Sequence, residues 1–207
     1  ISYTLQPYSK QPHDYQMIVA SDGGNQYVTL RASSVAVRIT SEHAISYGTT
    51  PVPNEWFHLA VVRSGSTVTV YIDGTSIGTA TDSGDFNLNS GGTFIGAFQG
   101  PTHYFDGYIS NLRVTKQALY TSTFTPSTSP FTLTSQSATS SNVALLTCNG
   151  KTFQDYSNYN HALSRYGNAH ISEFGPFGDG YWSNYFDNDG DYITIPDDDS
   201  LRLGTEA

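Results

Sequence analysis

The chain has 207 residues and a mass of 22.5 kDa, enough for one sizeable core or for one domain and a fragment of another. Its 18 acidic residues against 9 basic ones give a net charge of −9, which argues against a nucleic-acid partner, since phosphate backbones reward clustered Lys and Arg. Cys148 is the only cysteine, so no internal disulfide can form, and no apolar run approaches the roughly 20 residues that span a bilayer, so no membrane insertion is expected.

From Ile1 onward the pattern is one of short alternating segments, beginning with Ile1, Tyr3 and Leu5 in "ISYTLQ". "QYVTLRASSVAVRIT", "FHLAVVRSG", "TVTVYIDGTSIGTAT", "GTFIGAF" and "YISNLRVT" follow, none with a sustained helical period. In "STVTVYIDGTSIGTA", Val68, Val70 and Ile72 alternate with polar neighbours, Asp73-Gly74 makes a two-residue turn, and Ile77 belongs to the return strand. Regular strands with such turns predict an all-β fold, an antiparallel jelly-roll sandwich. "TPSTSPFTLTSQSATSSN" is rich in Ser, Thr and Pro, with Pro126 and Pro130 opposing regular structure, and reads as a linker over 126–142. Alternation resumes in "VALLTCNG", where Cys148 reads as a small buried residue, and "EFGPFGDGYWSNYF" leads through glycine turns to "YFDNDGDYITIP", whose Tyr192, Ile193 and Ile195 need a facing sheet. No basic n-region opens the chain and no initiator Met begins it, so Ile1 reads as a processed or trimmed boundary. Charged residues are only 13%, so Ser, Thr, Asn and Tyr must carry solubility, a surface suited to a virion or extracellular protein.

"NEWFHLAVVRSGSTVTVYIDGTSIGTA" resembles the central signature of laminin-G-like, concanavalin A-like jelly-roll domains: Trp56, His58 two residues later, an apolar strand, and a hairpin turning on Asp73-Gly74. "FDGYISNLRVTKQALYTSTFTPSTSPFT" is similar to the last strand and exit of that domain in large virion proteins of tailed phages, marine ones especially. "ALLTCNGKTFQDYSNYNHALSRYGNAHI" resembles the domain's first strands, with Phe153, Asp155, Ser157, Asn160 and His161 in an F-x-D-x-S-x-x-N-H pattern, and "YFDNDGDYITIP" resembles the strand after them. Reading Gly204-Thr205-Glu206-Ala207 into Ile1-Ser2-Tyr3-Thr4-Leu5-Gln6 supplies the strand the family expects next. The resemblance therefore implies one period of the domain in permuted order, with residues 143–207 as its front and 1–125 as its back. The front half either folds onto its own back half or docks on the next unit. The continuity of "GTEA" into "ISYTLQ" favours head-to-tail exchange, with Ala207 of one unit beside or joined to Ile1 of the next.

No catalytic, cofactor or metal residue is assigned. His58 and Trp56 read as structural, and Asp155 with His161 as a turn tie, since short polar side chains mimic backbone turns. "DNDGD", Asp187 to Asp191, resembles a calcium loop but lacks the distal Glu and flanking helices of an EF-hand. The family's usual acidic metal positions hold Ser110 and Asn111, so calcium is the candidate cation but is not expected to be needed. A retaining glycosidase needs paired carboxylates, and Glu42, Glu55, Glu173 and Glu206 stand apart. Tyr104, Trp182 and Tyr185 are candidates for sugar stacking, although packing where strands turn is the preferred reading of any single one, and no glycan-binding residue is assigned. The expected function is a non-catalytic structural or adhesive repeat of a phage virion fibre or surface filament, its partners being further copies and host or environmental glycans. The alternatives are a carbohydrate-recognition module of a secreted or cell-surface protein and, behind it, a glycan hydrolase.

Overall fold

The computed structural model describes residues 2–7, 15–23, 26–31, 33–39, 44–48, 52–88, 91–99 and 102–204. Its strands are β1 (Ser2–Pro7), β2 (Gln16–Ser21), β3 (Tyr27–Arg31), β4 (Ser34–Arg38), β5 (Ala44–Tyr47), β6 (Phe57–Ser64), β7 (Thr67–Ile72), β8 (Thr75–Thr81) and β9 (Phe86–Asn87). They continue with β10 (Thr93–Ile95), β11 (Asp106–Thr115), β12 (Val143–Thr147), β13 (Ser164–Tyr166), β14 (His170–Ser172), β15 (Ser183–Asp187), β16 (Tyr192–Ile195) and β17 (Arg202–Leu203). An eight-stranded sheet runs β14-β15-β11-β1-β6-β7-β8 with β12 also on β11, and a seven-stranded sheet runs β13-β16-β10-β2-β3-β4-β5. The pair β17-β9 closes one end. All pairings are antiparallel, which makes the fold the all-β, concanavalin A-like jelly-roll sandwich.

Period-two burial explains the layering. Leu59, Val61, Val68, Val70, Ile109, Leu112 and Phe186 of the larger sheet meet Val19, Val28, Leu30, Val37, Ile95, Ile193 and Ile195 of the smaller one in a single core. That core takes side chains from both ends of the sequence. β12 and β15 pair with β11, β16 pairs with β10, and β17 pairs with β9, so each links the region after residue 142 to the region before 116 within one chain. The expected meeting of Ala207 with Ile1 lies outside the described residues.

The Asp73-Gly74 turn forms as the sequence requires, with φ of 49° and 78°. Its carboxylate is also spent structurally: Asp73 Oδ1 accepts the His58 N–H at 2.8 Å, and the Asp73 N–H returns a bond to the His58 carbonyl at 2.8 Å. The turn is thereby tied to the neighbouring strand β6.

Residues 116–142, the Ser/Thr/Pro stretch and its approach, form a strap across the outer face of the eight-stranded sheet. Two 3-10 turns, Ser135–Ser137 and Ser140–Asn142, are its regular structure. Tyr120 and Phe124 pack on Ala60, Val62 and Tyr71, while Phe131 and Ala138 pack on Val143 and Leu146. Polar groups fasten it as well. Arg113, fully buried, donates from Nη1 to the Thr132 carbonyl at 3.2 Å and to the carbonyl and hydroxyl of Ser135 at 2.9 and 3.0 Å. Asn111 Oδ1 accepts the Phe131 N–H at 2.8 Å, and the Gly74 carbonyl accepts the Phe124 N–H at 3.0 Å. Proline and serine thus mark a chain without helix or sheet, but one anchored at both ends of its path.

Candidate functional site

Beyond the edge of the strap, the outer face of the eight-stranded sheet carries a row of aromatic rings. The register fixes it: His170 of β14 stands opposite Tyr185 of β15, Tyr185 opposite Tyr108 of β11, and Tyr108 opposite Gln6 of β1. Trp56 follows on the far side, one residue before β6, whose Phe57 pairs with Leu5. Ring centroids are 5.1 Å apart for His170 and Tyr185, 4.9 Å for Tyr185 and Tyr108, and 6.2 Å for Tyr108 and Trp56. Alternation produces the row, because the residues between these, Ile109 and Phe186, point into the core.

Phe174 lies over the Trp56 end, 5.6 Å from that ring and 4.9 Å from Tyr108, with 46% of its surface exposed. Its backbone is held by two serines: Ser172 Oγ accepts the Phe174 N–H at 3.1 Å and Ser183 Oγ donates to its carbonyl at 2.6 Å. The same loop presents Phe177 and Tyr181 as an edge-on pair at 5.8 Å, Tyr181 being exposed. Trp182 carries Lys151 Nζ 5.1 Å from its ring, and its carbonyl accepts the Ser110 hydroxyl at 2.8 Å. Aromatic rings grouped this way, Trp56, Tyr108 and Tyr185 half-buried and Phe174 and Tyr181 exposed, with polar atoms at their margins, suit a ligand that offers C–H faces and hydroxyls together.

Of the three aromatics picked out from the sequence, Tyr185 is in the row and Trp182 is at its margin. Tyr104 is elsewhere, close enough to Tyr192 on the seven-stranded sheet to raise the Tyr192 phenol, behind burial and Tyr166. Trp56, read as a core or sheet-end residue, is an end of the row, and Tyr108 and Phe174 complete it. Only the order of strands, which no local pattern states, brings these residues together.

His58 is buried beneath the strap, its ring meeting Tyr120, Phe124 and Phe131 edge-on at 6.1, 5.5 and 6.0 Å. Burial, then the Arg113 guanidinium, lowers its pKa from 6.5 to about 4, so it is neutral at ordinary pH. Burial likewise draws the Arg113 pKa down from its ordinary value, with the Tyr120 phenol opposing that shift.

Asp155 and His161 form more than a local tie. His161 Nδ1 is 2.6 Å from Asp155 Oδ2 and its Nε2 is 2.6 Å from the Ser200 hydroxyl, the order of contacts found in hydrolytic triads. The surroundings argue for structure instead. Asp155 also accepts the N–H groups of Leu146, Ser157 and His161 and the Ser157 hydroxyl. Ser200 is buried, and its own N–H is taken by Asp198 Oδ1 at 2.9 Å. A nucleophile needs access and spare N–H donors for the oxyanion, and this serine has neither at its own amide.

The acidic loop is also turned inward. Asp191 is buried and accepts the N–H groups of Asn168 and Asp187 at 2.7 and 3.1 Å, while Asp187 Oδ1 accepts the Asp189 N–H at 2.9 Å. Burial raises the Asp191 pKa above the usual carboxylate range. Among the described residues no group of three or more His, Cys, Asp or Glu is arranged to hold a metal ion. Asn111 adopts a left-handed backbone, φ 55°, at the point where β11 changes partner from β15 to β12. Glu55 and Glu173 are exposed, next in sequence to Trp56 and Phe174; Glu42 and Glu206 lie outside the described residues. Cys148 is buried, its thiol pushed up to about 12 by burial.

A cavity of about 530 Å³ opens elsewhere, beside β17, with Val61, Leu119, Leu203, Arg63, Lys116 and Arg202 in its wall. Its arginines are engaged: Arg63 donates to the carbonyls of Gly84 and Gly204, and Arg202 faces Asp199 at 3.6 Å.

Among solved structures, a candidate carbohydrate binding protein from Bacteroides ovatus superposes with a TM-score of 0.52 at 16% identity, over 95% of this chain and 54% of that one. The heptameric SAP-like pentraxin from Limulus polyphemus gives 0.43 at 20% identity, over 56% of this chain and 63% of that one. The chain therefore spans about half the length of the first and less than two thirds of the second. No curated protein sequence matches it. At 16% identity the first likeness speaks for the fold alone. The laminin G profile described as the concanavalin A-like lectin/glucanases superfamily matches residues 3–123, more than half of the chain and the stretch that holds β1 to β11. By that match and by its strand order, the chain belongs to the concanavalin A-like lectin/glucanases superfamily.

Proposed function

We propose that the protein is a non-catalytic carbohydrate-binding module and that its binding surface is the aromatic row of the eight-stranded sheet. The row itself carries the reading: Tyr108 and Tyr185 in register across the sheet, Trp56 beside Tyr108, and Phe174 exposed over Trp56 and Tyr108. Sugar rings stack on such faces through C–H contacts. The Bacteroides ovatus neighbour, itself a candidate carbohydrate binder, supports the reading at the level of fold. The buried Ser200 supports binding without turnover. A glycan array tests it: wild-type protein should bind selectively, and a Trp56→Ala, Phe174→Ala double variant that melts cooperatively should not. Equal binding by the variant would remove the row from the account, and hydrolysis of a bound glycan would overturn the non-catalytic assignment.

The exit sequence "ALYTSTFTP" favours a finer setting, a structural or adhesive repeat of a phage virion fibre or surface filament, outside the cell, with the domain in permuted order. In that setting copies associate head to tail. Sedimentation over a range of concentrations should then show growth beyond the monomer; a single monomeric species at every concentration would refute the association.

A further inference from the structure

We infer that the aromatic row takes an internal segment of an extended, uncharged polysaccharide lying across the strands, about three sugar rings long. The inference rests on the carbohydrate reading above and adds chain length, direction and charge to it. Length follows from the sheet. His170, Tyr185 and Tyr108 stand on the neighbouring strands β14, β15 and β11, and Trp56 follows just before β6; with centroid separations of 5.1, 4.9 and 6.2 Å the row is at most about 16 Å long. That span matches about three rings of an extended glycan and far exceeds one. Direction follows from the same register, because the rings succeed one another across the strands rather than along any of them.

Open ends make the segment internal. His170 is exposed on the edge strand β14, so that end is not walled as a pocket for a chain terminus would be, and the exposed Asn54, Glu55 and Phe174 border the other. Charge comes from the flanks. Glu55 adjoins Trp56, Glu173 adjoins Phe174, and Asp179 lies in the loop between Phe177 and Tyr181; all three are exposed. Against them stand Lys151, over Trp182, and His170. With a net charge of −9 behind it, this surface repels uronate and sulfate polymers and leaves neutral chains to stacking.

Titration calorimetry with ladders of two, four and six residues from β-glucan, mannan and xylan, and with polygalacturonate, tests this. Affinity for the neutral chain that binds should rise at least tenfold from the dimer to the tetramer and then level off, with no binding of polygalacturonate. His170→Ala, at an exposed site that leaves folding intact, should lower tetramer affinity about fivefold and leave the dimer unchanged, one aromatic contact being worth about that factor. A dimer that binds as tightly as the hexamer, or a preference for the uronate polymer that salt abolishes, would overturn the inference while leaving a carbohydrate-binding module. Silence toward every ladder, together with a silent array, would overturn both.

Discussion

Replacing His58 with Phe should remove much of the acid sensitivity of this fold between pH 6.5 and 4. The imidazole is 4% exposed, and neither ring nitrogen has a hydrogen-bond partner among the described residues. An unfolded chain takes up the proton as pH falls through 6.5, whereas the folded one refuses it until about pH 4. Across that window the unfolded state binds more protons, so stability is whole above pH 6.5 and declines as pH falls toward 4. At about 1.4 kcal/mol per pH unit, the separation amounts to about 3 kcal/mol. Arg113 beside it stays cationic throughout, so it does not cancel the effect. Urea titrations at half-unit steps of pH, followed by tryptophan fluorescence, give the measurement. Wild-type stability should fall more steeply than that of His58→Phe, the two slopes differing by about 3 kcal/mol over the window, whatever the offset between the curves from refilling the site. Parallel curves would show that His58 is protonated in the fold or is solvated, and the reasoning would fail.

Ser200→Ala should lower stability by about 1 to 2 kcal/mol by stranding His161 Nε2, and a fluorophosphonate probe should leave native Ser200 unlabelled; labelling would reopen the hydrolytic assignment. Gly74→Ala places a Cβ 1.8 Å from the Phe124 carbonyl oxygen at a φ of 78°, so it should destabilise by about 2 kcal/mol or more and speed amide exchange in residues 118–124. Cys148 should resist a thiol reagent in the native state and react at once in denaturant, because burial holds its thiol near 12; prompt native labelling would show an open path to it. Chelator should leave the melting temperature unchanged, since the Asp187 and Asp191 carboxylates are occupied by backbone N–H groups; a clear fall would place a stabilising cation in the protein.

What the sequence made legible is local. Alternation through Val68 and Val70 and the Asp73-Gly74 pair define the β7–β8 hairpin without any knowledge of the rest, because period-two burial and left-handed turn residues are properties of neighbours in the chain. Asp155 and His161, six residues apart, could be read as a tie for the same reason. Ser200, 39 residues beyond His161, could not, since nothing in "PDDDSL" reports which side chain its hydroxyl will meet. The aromatic row was hidden more thoroughly: Trp56 and Tyr185 become neighbours only through a sheet order in which β1 and β11 lie between them. Composition also understated the strap. Ser, Thr and Pro announce the lack of helix and sheet, but Phe131 and the grip of Arg113 and Asn111 decide that the segment is bound down.

The position of β11 has a consequence for how the chain is made. It pairs with β1 on one side and with β12 and β15 on the other, partners whose register brings Ser2 to Arg113 and Asp187 to Asp106. During synthesis the strand emerges with one partner already complete and the other edge bare; β12 covers the edge at residues 112–115, and the edge at residues 106–109 stays open until residue 187 has left the ribosome. At about 5 to 20 residues per second the delay lasts several seconds, long beside the microseconds in which unpaired strands find each other. Nascent chains held close together would have that interval in which to pair with one another at β11, and a holdase or a slow dilution on refolding would raise the yield by covering this one edge.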